Sequence, residues 1–186
     1  MSNSEINYME TERLNLSEID MGDLDKLHHL HSIYEVDEFN TLGIPESIKE
    51  TEQFIMQQLE VRSKTPRSSY MWKVLLRETG DFIGVAGLSL SNNKFKLGEI
   101  YYKLDPAFWG KGYATELAKR LVLLGFNTFG LHKVEAGVAA ENEKSVRVLE
   151  KIGMTREGLR RKILPIRGEW KDNYHYAIVE DDPRNY

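Results

Sequence analysis

The rhythm of apolar and polar residues changes several times along the chain, and each change marks an element. "TERLNLSEI" (residues 11–19) alternates with period two and predicts a first strand. From Asp23, placed to cap a helix, apolar residues recur at helical spacing to about Tyr34. "IPESIKETEQFIMQQLEVRS" predicts a second helix, with Ile48, Phe54, Ile55 and Leu59 on its apolar side. Strand character then returns in "SYMWKVLLRETGDFIGVAGLSL", two β-rich runs joined at the hairpin signal "ETGD". "LGEIYYKLD" is a further strand, ended by Pro106, whose nitrogen cannot donate to a ladder. Ala114, Leu117, Ala118, Leu121 and Val122 define a helix that stops near Gly130. "HKVEAGVA" is a short strand, and "NEKSVRVLEKIG" a helix with Asn142 as N-cap and Gly153 as its C-terminal glycine. Two last strands are expected at about Met154–Leu164 and Asp172–Glu180. This order predicts an α/β (α+β) fold: one mixed sheet with helices on its faces, not a regular doubly wound sheet.

Composition narrows the picture. The chain has 186 residues, enough for one domain spanning 1–186 with a core of about 9–180. Its formal net charge of −4 argues against a general affinity for nucleic acid, so no direct nucleic-acid partner is expected. With no cysteine there can be no disulfide, cysteine nucleophile or thiolate metal site, and no acyl-cysteine intermediate. "MSNSEINYMETERLNL" lacks an apolar run of signal-peptide length, and no window reaches the ~18 apolar residues of a membrane span. A cytoplasmic protein without a membrane partner is expected.

The candidate chemistry centres on "LDPAFWGKGYATELAKRL". A helix start leaves backbone N–H groups unpaired and carries partial positive charge, and glycines before it let an anion approach. "WGKGYAT" therefore predicts a phosphate cradle, with Lys111 adding charge at its rim and no carboxylate in the turn to repel the ligand. The segment lacks the G-x-x-x-x-G-K-[ST] pattern of a P-loop. A dinucleotide fingerprint would need glycine where Thr115 stands. Taken alone, the turn also fits a strand–helix connection that holds no ligand.

Together with the downstream "AENEKSVRVLEKIGM", the segment resembles the GNAT superfamily of acyl-CoA-dependent N-acetyltransferases. "GEIYYKLDPAFWGKGYATE" and "ENEKSVRVLEKIGM" both look like its Rim-type branch, similar to ribosomal-protein N-terminal acetyltransferases. The family loop Q/R-x-x-G-x-G/A falls on Trp109, Gly112 and Ala114, with tryptophan replacing Gln/Arg. The resemblance covers nearly the whole chain. It implies a mostly antiparallel sheet of about seven strands, opened where one parallel pair splays to admit the cofactor. That pair is Gly98–Leu104 and Lys133–Val138 by position.

The resemblance also assigns residues. Backbone groups at Tyr102, Lys103 and Leu104 would hold the pantetheine arm. The N–H groups of Gly110, Lys111, Gly112, Tyr113, Ala114 and Thr115, behind Trp109, would hold the pyrophosphate. Asn142 matches the asparagine that bonds the cofactor arm, and it serves equally as a plain N-cap. Arg147 and Lys151, one turn apart, would face the adenosine phosphates or form a solvated helix face. Acetyl transfer needs a deprotonated amine, a polarised carbonyl and a thiolate that can leave. An α-amine has a pKa of about 8 and a lysine about 10.4, so a base helps both. Glu99 is the candidate base; the alternative is a solvent-facing glutamate. Ser145 is the candidate hydrogen-bond donor to the leaving sulfur; the alternative is a first-turn serine bonded to its own backbone. The tyrosine that many GNAT members use seven residues after the asparagine is absent, because Leu149 stands there.

Direct transfer from acetyl-CoA to an amine, a protein N-terminus or a small molecule, is thus the expected function, with no metal. A non-catalytic acyl-CoA sensor and a nucleotide-binding protein are the rivals. His28, His29 and His31 invite a metal reading, but nothing nearby completes a site, and a partly exposed helix face is expected. "YEVDEF" (34–39) is expected as an acidic, aromatic acceptor entrance or a solvated loop, and Trp170 and Tyr174 as acceptor-site candidates.

Overall fold

The structure is a computed structural model that describes residues 6–91 and 94–186; the first five residues of the stretch read for a targeting signal lie outside these. Eight strands form one sheet: β1 (Tyr8–Glu10), β2 (Leu14–Glu18), β3 (Ser69–Leu76), β4 (Phe82–Leu90), β5 (Leu97–Leu104), β6 (Lys133–Ala139), β7 (Thr155–Ile166) and β8 (Glu169–Val179). Their order is β1-β2-β3-β4-β5-β6-β8-β7. All neighbours are antiparallel except β5 and β6. The helices are α1 (Leu24–Ser32), α2 (Tyr34–Asp37), α3 (Ile48–Ser63), α4 (Tyr113–Asn127) and α5 (Glu143–Lys151). The mostly antiparallel sheet with helices on both faces is the expected architecture. β1 adds one strand to the count, because three residues are too few to show a period.

The two faces are covered differently. Leu117, Leu121 and Val122 of α4 and Leu149 of α5 pack with Leu14, Trp72, Val74, Leu88, Ile100 and Tyr176 in the larger core. On the other face Leu27 and Leu30 of α1 and Ile55 of α3 meet Ile19, Met71 and Val85, with Tyr101 at the margin. Each fully buried Leu or Ile contributes roughly 1.5–3 kcal/mol by removal of its apolar surface from water.

Several boundaries move for physical reasons. The helix expected from Asp23 to Tyr34 is preceded by a 3₁₀ turn at Met21–Asp23. Asp20 caps that turn by accepting from the Gly22 N–H at 2.7 Å. Asp23 makes no cap bond to α1; it accepts from the Asp20 N–H at 3.0 Å and pairs with Lys73 at 2.8 Å. α3 begins only at Ile48, whose side chain is exposed rather than part of the apolar stripe. β7 and β8 extend toward each other as far as Ile166 and Glu169, a longer hairpin than expected.

Among the described residues no helix is long and apolar enough to cross a membrane.

Candidate active site

The site begins where the sheet opens. β5 and β6 pair only at Leu97–Lys133, Gly98–Val134 and Glu99–Glu135. Beyond that point β5 stays paired with β4 as far as Leu104, and β6 with β8 as far as Ala139. Each strand therefore keeps its outer ladder and turns its inner backbone groups, from Ile100 and Ala136 onward, into the gap. This is the splay expected of Gly98–Leu104 and Lys133–Val138, and Tyr102, Lys103 and Leu104 lie on its β5 side.

At the open end of the gap the chain makes the glycine turn. Gly110 and Gly112 take φ of +75° and +84°, where an L side chain is strained, and a Cβ on Gly110 would meet nothing within 4 Å. Gly112 is the N-cap of α4 and offers no side-chain cap. The N–H groups of Gly110, Lys111, Gly112, Tyr113, Ala114 and Thr115 take no acceptor among the described residues; the first bonded amide is that of Glu116, to the Gly112 carbonyl at 3.1 Å. Six consecutive donors at a helix start form an anion cradle. Trp109 fixes the turn to the strand it follows, because its indole N–H donates to the Leu104 carbonyl at 2.7 Å. Lys144 lies over the same indole, 4.2 Å from the ring centroid. The Lys111 ammonium rests over Phe108, at 5.3 Å.

A buttress that sequence reading missed supports the cradle from the segment just before β2. Arg13 donates to the Lys111 carbonyl at 2.9 Å and lies over the Tyr113 ring at 4.5 Å. Its Nε also meets Glu116 Oε2 at 2.7 Å. Glu116 accepts further from the Arg13 N–H and the Thr11 hydroxyl. Burial pushes the Glu116 carboxyl upward, but these hydrogen bonds outweigh it and hold the group below its usual range. Arg13 and Lys111 are 98 residues apart, and no local pattern joins them.

α5 closes one side of the gap. Asn142 is its N-cap, accepting from the Ser145 N–H at 3.1 Å. Ser145 approaches Tyr102 from across the gap. Burial pushes the Tyr102 phenol up to about 12, with the Ser145 side chain pulling the other way. The Tyr102 hydroxyl is buried without a formed hydrogen bond. Arg147 is exposed and pairs with Glu143 at 3.0 Å, one helical turn back, and Lys151 is exposed.

On the opposite face, Glu99, Tyr101 and Lys103 alternate along β5. Tyr101 lies over Gly87, where a Cβ would come within 2.1 Å of its ring. Burial pushes its phenol well up. The Glu99 carboxylate leans across the splay to Gly137, where an added Cβ would stand 3.3 Å from Glu99 Oε1 and from both polar atoms of the Asn173 side chain. Asn173 is buried and was not singled out from sequence; only its register opposite Ala139 brings it here.

The acceptor candidates separate. Trp170 is 59% exposed, while Tyr174 packs toward the core under α4 and α5, with Arg156 over its ring at 4.5 Å. Within "YEVDEF", Tyr34 is exposed, but Asp37 is buried and pairs with Arg167 at 3.0 Å, so the turn between β7 and β8 latches onto α2. The partly exposed histidine face fails at His31, which is only 4% exposed; His28 bonds the Thr51 hydroxyl at 2.9 Å. Burial lowers the His31 imidazole to about 3, and repulsion from Lys103 and His28 adds to it. The potential metal-ligand group among the described residues is Glu135, Glu157 and His175. The Lys133 ammonium already sits on it, 2.6 Å from Glu157 and 3.4 Å from Glu135, and supplies the cation.

Comparison with known proteins agrees with this geometry. A family model described as Acetyltransferase (GNAT) domain matches residues 13–155. The uncharacterized N-acetyltransferase YoaA of Bacillus subtilis is 30% identical over 172 residues, covering 92% of this chain and 96% of that protein. The crystal structure of a GNAT-family acetyltransferase from Bacillus anthracis superposes with a TM-score of 0.81 at 28% identity, covering 94% of this chain and 99% of that one. Spermidine N-acetyltransferase from Vibrio cholerae, in complex with CoA and spermine, gives 0.79 at 25% identity, with 90% and 95% covered.

Proposed function

The chain belongs to the GNAT acetyltransferase family and is an N-acetyltransferase; from that premise we propose that it moves an acetyl group from acetyl-CoA directly to a primary amine, as a member of the Rim-type branch. The observation that carries this reading is the meeting of six unpartnered amides with the open end of the β5–β6 splay. A diphosphate would be held at Gly110–Thr115 and an extended arm along Tyr102–Leu104. Acetyl-CoA supplies the activated acyl group as a thioester.

The chain's own residues do the rest. Asn142 orders α5 and places Ser145 at the gap. The Ser145 hydroxyl donates a hydrogen bond to the leaving sulfur, a thiolate whose conjugate acid has a pKa of about 8.5 and needs little further help. On the other face Glu99 takes a proton from the incoming amine, directly or through water, and Asn173 orients that carboxylate or the amine beside Gly137. The acceptor is a primary amine, on a protein N-terminus or a small molecule. The polyamine named with the Vibrio cholerae neighbour supports an amine acceptor.

Release of the CoA thiol, followed across N-terminal peptides, amino acids and polyamines, tests the reading. Turnover of at least one amine is expected, and Glu99→Gln should lower kcat at least about tenfold, most at low pH, with CoA affinity retained. An unaltered rate removes Glu99 from the mechanism, and CoA binding without turnover of any amine would make the protein a sensor.

A further inference from the structure

Among the described residues, the Tyr102 hydroxyl is the buried polar side-chain atom on β5 or β6 that has no hydrogen-bond partner. Tyr102 stands beyond Glu99, where the β5–β6 ladder ends, while its backbone stays in register with Ala86 of β4. Side chains alternate along a strand, so it turns to the face opposite Tyr101 and Lys103. There its ring packs against the larger core, as do Val146 and Val148 of α5. A phenylalanine would fill that place and leave no hydroxyl to satisfy. A buried hydroxyl without a partner is costly, so the extra oxygen asks for a role.

The polar side chain that acts on this phenol is Ser145. The Ser145 N–H donates to Asn142 Oδ1 at 3.1 Å, which fixes the residue in the first turn of α5, and its side chain is half-buried. Its neighbours on α5 are engaged elsewhere or apolar. Lys144 lies over Trp109, Arg147 pairs with Glu143, and Val146 and Val148 pack on the core. A serine hydroxyl turns freely about its Cβ–O bond, so its proton is aimed only when its oxygen is held by another donor. Burial pushes the Tyr102 phenol up to about 12, with Ser145 opposing, so the phenol keeps its proton at neutral pH and can be that donor.

We propose that Tyr102 is a positioning residue for the leaving group: with the cofactor in the splay its O–H donates to Ser145 Oγ, and the Ser145 O–H is thereby aimed at the thioester sulfur. The inference rests on the acetyl-transfer reading above. When the C–S bond breaks, its electron pair stays on sulfur as a thiolate, which accepts from Ser145. No proton passes through the phenol, because the conjugate thiol has a pKa of about 8.5 and transfer to it from so weak an acid runs uphill. Tyr102 therefore contributes through one hydrogen bond, made to a residue on the opposite wall of the gap.

The experiment measures acetyl-CoA turnover with an accepted amine in Tyr102→Phe, Ser145→Ala and the double variant, and follows the ¹³Cζ resonance of Tyr102 while CoA is titrated. Tyr102→Phe should lower kcat about three- to tenfold, leave KM for acetyl-CoA unchanged, and unfold at no lower temperature than the wild type. The double variant should be no slower than Ser145→Ala, since the phenol acts through that serine. CoA should shift the Tyr102 resonance more in the wild type than in Ser145→Ala. An unaltered kcat in Tyr102→Phe, or a change in KM alone, overturns the proposal and leaves acetyl transfer standing. So does a double variant slowed by the product of the two single effects, because Tyr102 then acts independently of Ser145. If CoA binds and no amine is acetylated, the acetyl-transfer reading falls, while a Tyr102 shift that depends on Ser145 still upholds the pair. An equal shift in Ser145→Ala refutes the pair whatever the turnover.

Discussion

The two faces of the splay offer a ligand different groups. On the proposed cofactor face the ligand would be held mainly by backbone: six amides in one short stretch, made available by two glycines and a helix start. On the proposed acceptor face it would be held by side chains, with His31, Asp37, Glu99, Lys103, Asn173 and Arg167 drawn from four separate elements and one turn. A backbone site needs particular residues next to one another, because a left-handed turn and a helix N-terminus are local structures. A side-chain site needs only that the tertiary fold bring its members together. The first face is therefore fixed by a short motif, while the second can be rebuilt residue by residue without disturbing the sheet.

The comparison can be broken most forcefully at Gly112. Gly112→Glu puts a side chain at φ +84°, with a Cβ 3.3 Å from Arg13, and a carboxylate into the amide cradle. CoA affinity measured by calorimetry should fall at least about 100-fold, while the acceptor face keeps its fold; unchanged affinity would remove the cradle from CoA binding. The acceptor face should declare itself next, through acid. His31 titrates near 3 in the folded protein, against about 6.5 when unfolded. The unfolded chain therefore binds the extra proton as pH falls below 6.5, and stability present above that value is lost progressively toward 3. Between pH 6.5 and 4.5 the loss should be roughly 2 kcal/mol by urea unfolding, and His31→Leu should flatten that slope. An equally steep slope in the variant would show that His31 is not buried in its neutral form. The smallest effect should come from the buttress. Arg13→Ala frees the Lys111 carbonyl and leaves Glu116 with fewer donors. It should cost about 1 kcal/mol of stability and a few-fold in CoA affinity. A loss confined to acceptor kinetics would show that the two faces are coupled through the loop.

The glycine turn before α4 and the start of α5 were legible in the sequence. Trp109 to Thr115 and Asn142 to Ser145 stand in unbroken runs, and the periodicities around them place one at a strand–helix turn and the other at a helix start. Arg13 was not legible, because its only relation to the loop is through space. His31 was misread for a related reason. Helical spacing puts His28 and His31 on one side of α1, yet only the packing of Phe54 and β5 over that side decides that His28 bonds Thr51 while His31 is enclosed. The short strand Tyr8–Glu10 likewise becomes a strand only by pairing with β2.

By itself the sequence determined most of the succession of strands and helices, the glycine turn before α4 and the capping of α5. These are set by periodicity, by φ preferences and by first-turn hydrogen bonds, all of which act within a few residues. Only the tertiary structure decided where β5 leaves β6, which carboxylate leans over Gly137, and that a lysine and a histidine 72 positions apart line one crevice. Those outcomes depend on which surfaces are buried against each other, and burial is a property of the assembled sheet and helices rather than of any stretch of chain.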